Sequence, residues 1–199
     1  MKKGERRKQE LLKIAYEMFI TRGYENTSVD ELIEKAGIAK GTYYYYFPSK
    51  EQMLEEVIDM MLGEQVEHAK AILDTDIPIP QKIVGIVASI RPAKEEAPID
   101  EALHLPENIL MHEKIKAKIT ECVSPLLVTV TQDGIAQGLF DCDNVPERIK
   151  IIMIIVNELF SDTAFTPEDI EVFIDVLEKI LGARQGSMSF VRELIGQQS

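Results

Sequence analysis

The stretch Thr27-Ser28-Val29-Asp30-Glu31-Leu32-Ile33-Glu34-Lys35-Ala36-Gly37-Ile38-Ala39-Lys40-Gly41-Thr42-Tyr43-Tyr44-Tyr45-Tyr46-Phe47-Pro48-Ser49-Lys50-Glu51-Gln52-Met53-Leu54 decides how the chain is read. It opens on a cluster of cap residues, and Ser28 followed three positions on by Glu31 has the form of a capping box. Val29, Leu32, Ile33 and Ala36 recur at helical spacing, which predicts a helix over about residues 28–35 with one inward face. Gly37 suits a turn with positive φ, which glycine adopts without steric cost. A second helix is expected over about 39–45. Pro48 stops it, and Ser49 caps the next helix, with Glu51 and Gln52 in its first turn. Two short helices joined by a glycine turn make a helix-turn-helix, which can lay its second helix in the major groove of DNA.

Within that stretch the residues divide by chemistry. Ile38 plugs the small core between the helices, and Tyr43 and Phe47, four apart, anchor the second helix in it. Lys40, Gly41 and Thr42 then stand at the helix start as candidate base readers. Lysine reaches guanine O6 or N7, glycine allows close approach, and threonine offers a methyl and a hydroxyl. Thr27, Ser28, Tyr44, Tyr45 and Lys50 are the candidate phosphate contacts, since hydroxyls, phenols and a cation are the usual donors to the DNA backbone. The backbone N–H groups that open the second helix favour an anion as well.

Working outward, Leu11, Leu12, Ile14, Ala15, Met18 and Phe19 predict a preceding helix over 5–21, ended by Gly23. A long helix is expected over 50–73, leaving the small N-terminal domain and entering a second one. A further helix follows over 81–90, then a polar, proline-flanked loop over 91–98 and a short helical turn over 100–105. A helical region covers 107–139, where Pro125 predicts a kink or a division into two helices. The helix over 146–161 is apolar nearly all round, so burial on more than one side is expected. A last long helix runs from Thr166-Pro167 to Leu181, stopped by Gly182, and a tail helix around 188–195 is expected to pack weakly. No strand alternation and no internal repeat occur in the sequence.

The chain has 199 residues and a net charge of −12. That balance argues against a general nucleic-acid coat protein. The charge is uneven, however. Residues 1–50 hold ten Lys and Arg against seven Asp and Glu, a net of +3, and the remainder hold twelve against 27, a net of −15. A basic end on an acidic body suits a protein that touches phosphate with one end only. Two cysteines, Cys122 and Cys142, form no metal or disulfide pattern. The charged N-terminus has no apolar signal region, and the longest apolar run, Ile151–Val156, is far short of a membrane span. No membrane contact and a reduced, cytoplasmic location are the expectation.

The stretch resembles the N-terminal domain of the tetracycline-repressor (TetR) family of transcriptional regulators. The resemblance rests on Thr27, Leu32-Ile33, Ala36-Gly37-Ile38, Ala39, Gly41, Tyr43, Tyr44, Tyr46, Phe47 and Ser49-Lys50-Glu51, and it covers residues from about 8 to 54. Two positions depart from the family pattern: Ile33 stands where a small residue is common, and Ala39 where Ser or Thr is common. Without that hydroxyl, helix three lacks a side-chain cap and a phosphate donor. The resemblance implies an all-α protein. A three-helix DNA-binding domain with its helix-turn-helix (1–48) would carry a larger helical ligand-binding and dimerisation domain (49–199). It also implies a homodimer on a palindromic double-stranded DNA operator, usually a repressor. The last two long helices would pair with those of a second subunit, which places Ile151, Ile154, Ile155, Phe173, Val176, Leu177 and Ile180 at the dimer interface. The apolar run Ile151–Val156 argues for the same, because one subunit's core cannot take every side of it.

An unknown small-molecule effector is the expected regulator, with Met61, His68, Leu103, His104, Met111, His112 and Asn157 as candidate lining residues. Methionine-rich walls suit an adaptable apolar ligand. His104 and His112 are eight apart with Pro106 between them, so no metal pair on one helix face is expected. The sequence has no nucleophile–base motif and no phosphate-cradling glycine loop, so neither a catalyst nor a cofactor is expected. An architectural DNA-binding protein of the same fold, without an effector, is the competing reading.

Overall fold

The structure, a computed structural model, describes residues 3–90, 102–159 and 166–196. The loop expected over 91–98 and the end of the helix expected to reach 161 therefore lie largely outside the described residues. Every regular element among the described residues is helical: α1 Lys3–Arg22, α2 Val29–Ala36, α3 Lys40–Tyr46, α4 Lys50–Leu73, α5 Ile79–Ser89, a 3-10 turn Pro106–Asn108, α6 Ile109–Ala136, α7 Val145–Leu159, α8 Pro167–Leu181 and α9 Val191–Gly196. No helix of the described residues is long and apolar enough to cross a membrane.

Contacts divide the chain into two compact units. The first comprises Met1–Gly63 with Pro92–Lys118, the second Glu64–Arg91 with Ile119–Ser199. In the first unit, α1 buries Leu11, Leu12, Ala15, Met18 and Phe19, one stripe of its surface. Leu32 of α2, Tyr43 of α3, Phe47, and Met53, Leu54, Val57 and Ile58 of α4 are buried in the same unit. The helix joints use the expected signals. The Ser28 hydroxyl accepts from the Glu31 amide while the Glu31 carboxylate accepts from the Ser28 amide, closing the capping box. Gly37 ends α2 at φ 61°.

A second tie comes from much later in the chain. Asn108 is buried, its Oδ1 accepts from the Tyr24 amide at 3.1 Å, and its Nδ2 donates to the Ala102 carbonyl at 3.0 Å. Gly23 is what admits this turn: a Cβ there would lie 2.4 Å from the Glu107 Cβ.

The core of the second unit is assembled from Ile79 and Ile86 of α5, Val123, Leu126, Leu127 and Val130 of α6, Ile149, Ile152 and Met153 of α7, and Ile170, Phe173, Ile174, Leu177 and Leu181 of α8. Lys82 is buried there, and its Nζ caps the end of α4 by donating to the Leu73 carbonyl at 2.8 Å. Helix α6 runs through Pro125 as one element, so of the kink and the division expected there, the division is not met. Pro125, which has no amide hydrogen to give to the helix, is exposed. The tail is also held more firmly than expected. Met188, Val191 and Leu194 are buried, and the carboxylate of the buried Glu178 accepts from the Gly186 and Met188 amides, each at 2.9 Å. These amides give the carboxylate the partners that a buried charge requires.

Two glycines separate strain from collision. Gly37→Ala adds only the left-handed penalty, because nothing lies within 4 Å of the new Cβ; a loss of about 1–2 kcal/mol is expected. Gly182, at φ 62°, would bring a Cβ to 2.0 Å from the Asp141 carbonyl oxygen, so Gly182→Ala should cost clearly more in urea unfolding. Equal losses would contradict this packing. Burial also pushes the Tyr24 and Tyr43 phenols up to about 12 from 10. Their neutral forms favour the folded state, so this contribution is complete below pH 10 and is lost as pH rises from 10 to 12. Tyr24→Phe should flatten the alkaline fall in urea midpoint, and an unchanged slope would remove Tyr24 as its source.

Candidate nucleic-acid interface

Helix α3 has seven residues, and two contacts four apart fix its orientation. Tyr43 and Phe47 are fully buried, their rings 5.8 Å apart, and the Tyr43 hydroxyl reaches the Met53 sulfur at 3.6 Å. With that face inward, Lys40, Gly41, Tyr44 and Tyr45 form the exposed face, and Thr42 is half-buried beside them. Tyr45 is 81% exposed, although a phenyl ring of that size usually finds cover. Gly41 is informative for the opposite reason. A Cβ on it would meet nothing within 4 Å, so internal packing does not require glycine there. The bare backbone leaves room for something outside the chain to come close.

The charged and polar groups around this face are already partnered. Lys40 Nζ donates to Asp30 Oδ1 at 2.9 Å, and this bond raises the lysine pKa. Both side chains are exposed, so water and salt compete with the pair and leave Lys40 able to turn outward. Lys50 Nζ lies 4.0 Å from the Tyr24 ring centroid, a cation–π contact, and partial burial lowers its pKa. Tyr44 stands edge-on to Tyr43, and Tyr45 edge-on to Tyr46. Ala39 caps α3 without a side-chain bond, as its missing hydroxyl predicts.

The structure moves two expected phosphate contacts to other duties. Thr27 is only 1% exposed, and its hydroxyl donates to the Gly23 carbonyl at 2.8 Å, so it locks the α1–α2 corner from inside. Ser28 is exposed, but its hydroxyl donates to Glu31 Oε2 at 2.7 Å as part of the cap, and a phosphate would have to displace that carboxylate.

The other expected sites also sort by burial. In the first unit Leu103 and Met111 are buried, Met61 and His112 half-buried, and His104 exposed. The His104 and His112 rings lie 4.5 Å apart, because the chain doubles back through the 3-10 turn between them; spacing on a single helix hides this. In the second unit His68 is exposed, and the half-buried Asn157 donates to Thr120 Oγ1 at 3.0 Å. Exposure takes His68 and His104 out of any enclosed lining. Of the expected interface residues, Phe173 and Leu177 point into their own subunit's core and are corrected to core residues. Ile151 and Ile154 are exposed, and Ile155, Val176 and Ile180 are half-buried. Val172, which is not among the expected interface residues, is exposed on α8 one turn before Val176. Burial pushes the half-buried Cys142 thiol up, away from a reactive thiolate.

An all-helical chain with a helix-turn-helix whose second helix shows solvent a glycine, a lysine and two tyrosines is a DNA-binding protein of the regulatory type. Residues 11–57 match the family profile of bacterial regulatory proteins, tetR family. The chain is 30% identical over 141 residues to the HTH-type transcriptional repressor KstR2 of Mycolicibacterium smegmatis, covering 69% of each chain. It is 32% identical over 145 residues to KstR2 of Rhodococcus jostii, again covering 69% of each. Its fold is similar to the crystal structure of a gamma-butyrolactone receptor (ArpA-like protein), with a TM-score of 0.59, 13% identity and full coverage of both chains. It is also similar to a TetR/AcrR-family regulator from Thermobifida fusca, with a TM-score of 0.53 and 22% identity over 91% of this chain and 98% of the other. The chain belongs to the TetR family and is a sequence-specific DNA-binding regulator of transcription, with an N-terminal helix-turn-helix domain and a larger helical C-terminal domain.

Gly41→Ala separates folding from reading. Alanine in a helix is about 0.5–1 kcal/mol better than glycine, so thermal stability should rise slightly. DNA affinity should fall, because the added methyl occupies the open approach. Unchanged affinity in a titration against bound duplex would show that no groove wall comes close at Gly41.

Proposed function

We propose that the chain is a homodimeric repressor that leaves a palindromic operator when a small molecule binds its C-terminal domain. In this reading residues 1–48 hold the DNA, residues 49–199 hold the effector and the partner subunit, and the protein acts in the cytoplasm. Lys40, Gly41 and Thr42 read bases, and Tyr44, Tyr45 and Lys50 grip phosphates. Two copies of α3 enter successive major grooves about 34–36 Å apart.

One observation carries the dimer. Ile154 is 58% exposed on α7, with Ile151 one turn before it, and Val172 is exposed on α8. Ile155, Val176 and Ile180 border them half-buried. Apolar residues on two long helices are the kind of surface that two-fold association covers. The relatives' name as repressors favours repression.

For the effector, the support lies in how the reading head is tied. The 3-10 turn before α6 holds the α1–α2 corner through Asn108 and the Tyr24 amide. Lys114 of α6 reaches Glu55 of α4 at 3.0 Å, and Lys118 reaches Asp59 at 2.8 Å. A ligand that shifts the start of α6 or α4 moves groups bonded to the DNA-reading unit itself. The resulting change in spacing between the two α3 helices lowers operator affinity, a coupling of two sites through shared helices.

Ile154→Glu tests the assembly. It should leave the helical content intact, turn the dimer into monomers in sedimentation, and lower operator affinity by well over tenfold through loss of the second half-site. A dimer that survives the substitution would place the interface elsewhere.

A further inference from the structure

An open cleft of about 750 Å³ lies between the first turns of α1 and the end of α3, lined by Gly4, Arg6, Arg7, Glu10 and Tyr46. None of the DNA contacts assigned above uses it. Its two guanidinium groups share one carboxylate: Arg6 Nε donates to Glu10 Oε1 at 3.2 Å, and Arg7 Nη1 donates to Glu10 Oε2 at 3.1 Å. Arg7 Nη2 also donates to the carbonyl of Ala36, the last residue of α2, at 3.3 Å. That bond fixes Arg7 against the helix-turn-helix. The side chain of Arg6 is 76% exposed and that of Arg7 42%.

Tyr46 brings its hydroxyl to the cleft. Its ring packs edge-on against Tyr45, centroids 5.1 Å apart, and its hydroxyl lies 3.6 Å from where a Cβ on Gly4 would stand. Through Tyr45 the cleft adjoins the exposed face of α3. Two guanidiniums and a phenol hydroxyl on an open floor match the oxygens of a phosphodiester, because arginine's planar fork pairs with two oxygens at once. Glu10 occupies that role in the free protein. The hydrogen bonds from Arg7 and Arg6 hold its carboxyl below the usual range, so it is ionised at neutral pH. Two arginines against one carboxylate still leave the cleft with a positive charge.

We propose that this cleft seats the DNA sugar-phosphate backbone beside the base pairs that α3 reads, and that Glu10 is the resident anion which a phosphate displaces from Arg6 and Arg7. The proposal rests on α3 being the reading helix. It makes the start of α1 part of the footprint and gives an acidic residue an inhibitory role in it. Association then trades one anion for another at this seat, and Glu10 sets how strongly the bare protein resists that trade.

The test uses the full chain and a duplex enriched from random DNA by the wild type, with affinity measured across a salt series. Arg6→Ala should weaken binding and make the log–log salt slope shallower by about 0.9, the value for one lost phosphate contact. Glu10→Gln keeps the side-chain volume and frees both guanidiniums, so it should tighten binding severalfold. The double variant should fall back toward wild type. Arg6 is substituted rather than Arg7 because Arg7 also braces Ala36, and thermal melting of each variant separates a folding defect from a lost contact. An unchanged slope for Arg6→Ala, or a Glu10→Gln variant that binds no tighter, overturns the cleft. If Gly41→Ala still weakens binding in the same series, the failure belongs to the cleft alone. A wild-type chain that enriches no duplex would overturn the α3 reading as well.

Discussion

Burial of Tyr43 and Phe47 is the constraint on which the DNA-reading surface depends. A seven-residue helix does not stand by itself in water, since the cost of its nucleus exceeds what so few hydrogen bonds return. Helix α3 stands because the ring of its Tyr43 and that of its C-cap residue Phe47 are wholly enclosed by the first unit. Each ring removes an area worth about 1.5–3 kcal/mol from water. The same contact fixes rotation about the helix axis. Once positions 43 and 47 face inward, positions 40, 41, 44 and 45 must face outward. No residue of the reading face has to be held by contacts of its own, and this leaves their chemistry free for DNA.

The path into α3 is held just as tightly, from a distant part of the chain. Thr27 closes the α1–α2 corner from inside, and Asn108 takes up the Tyr24 amide at the same corner. A buried amide left without an acceptor costs about 1–3 kcal/mol, so the turn before α6 is a structural member of the DNA-binding unit. Gly23 matters for the same reason, because only a residue without Cβ lets Glu107 approach. Residues 102–118 thus belong to the reading unit by contact although they lie far beyond α3 in sequence. A signal that reaches this segment has no further joint to cross before it meets the corner from which α2 starts.

What the sequence made legible was local. The capping box at Ser28 and the glycine stops at Gly37 and Gly182 declare themselves through neighbours a few residues apart, and all three are formed. The Tyr43–Phe47 anchor needed only the helical repeat. The misreadings all turn on tertiary contact. Thr27 has the chemistry of a phosphate donor, and only the fold shows that its hydroxyl is enclosed. Phe173 and Leu177 share a helical stripe with residues that could equally face a partner; periodicity marks an apolar stripe without saying whose core it fills. The approach of His104 to His112 and the cleft of Arg6, Arg7 and Tyr46 depend on chain reversal and on the approach of α1 to α3. The net charge of residues 1–50 marked a basic end, but charge alone could not show that a tyrosine from α3 lies beside Arg6 and Arg7. The tail reads as loosely packed until Glu178 is seen holding two of its amides.

Charge pairing explains how so acidic a chain can bind DNA selectively. Around the reading unit, basic side chains are met by carboxylates of the same unit: Lys40 by Asp30, Lys35 by Glu17, Arg22 by Glu31, Lys8 by Glu56, and Arg6 and Arg7 by Glu10. Seen from beyond a Debye length of about 8 Å, such pairs largely cancel, and the net charge of −12 dominates. Non-specific DNA then gains little, because the long-range attraction that supplies most non-specific binding is weak. At contact the balance changes. The pairs are solvent-exposed and individually weak, so phosphates held in register can exchange with the carboxylates. In the reading proposed here, register is available only where α3 fits the groove through Gly41 and its neighbours. The electrostatic gain is therefore conditional on the base-reading geometry, and a protein built this way favours operator over bulk DNA by suppressing the second as much as by strengthening the first.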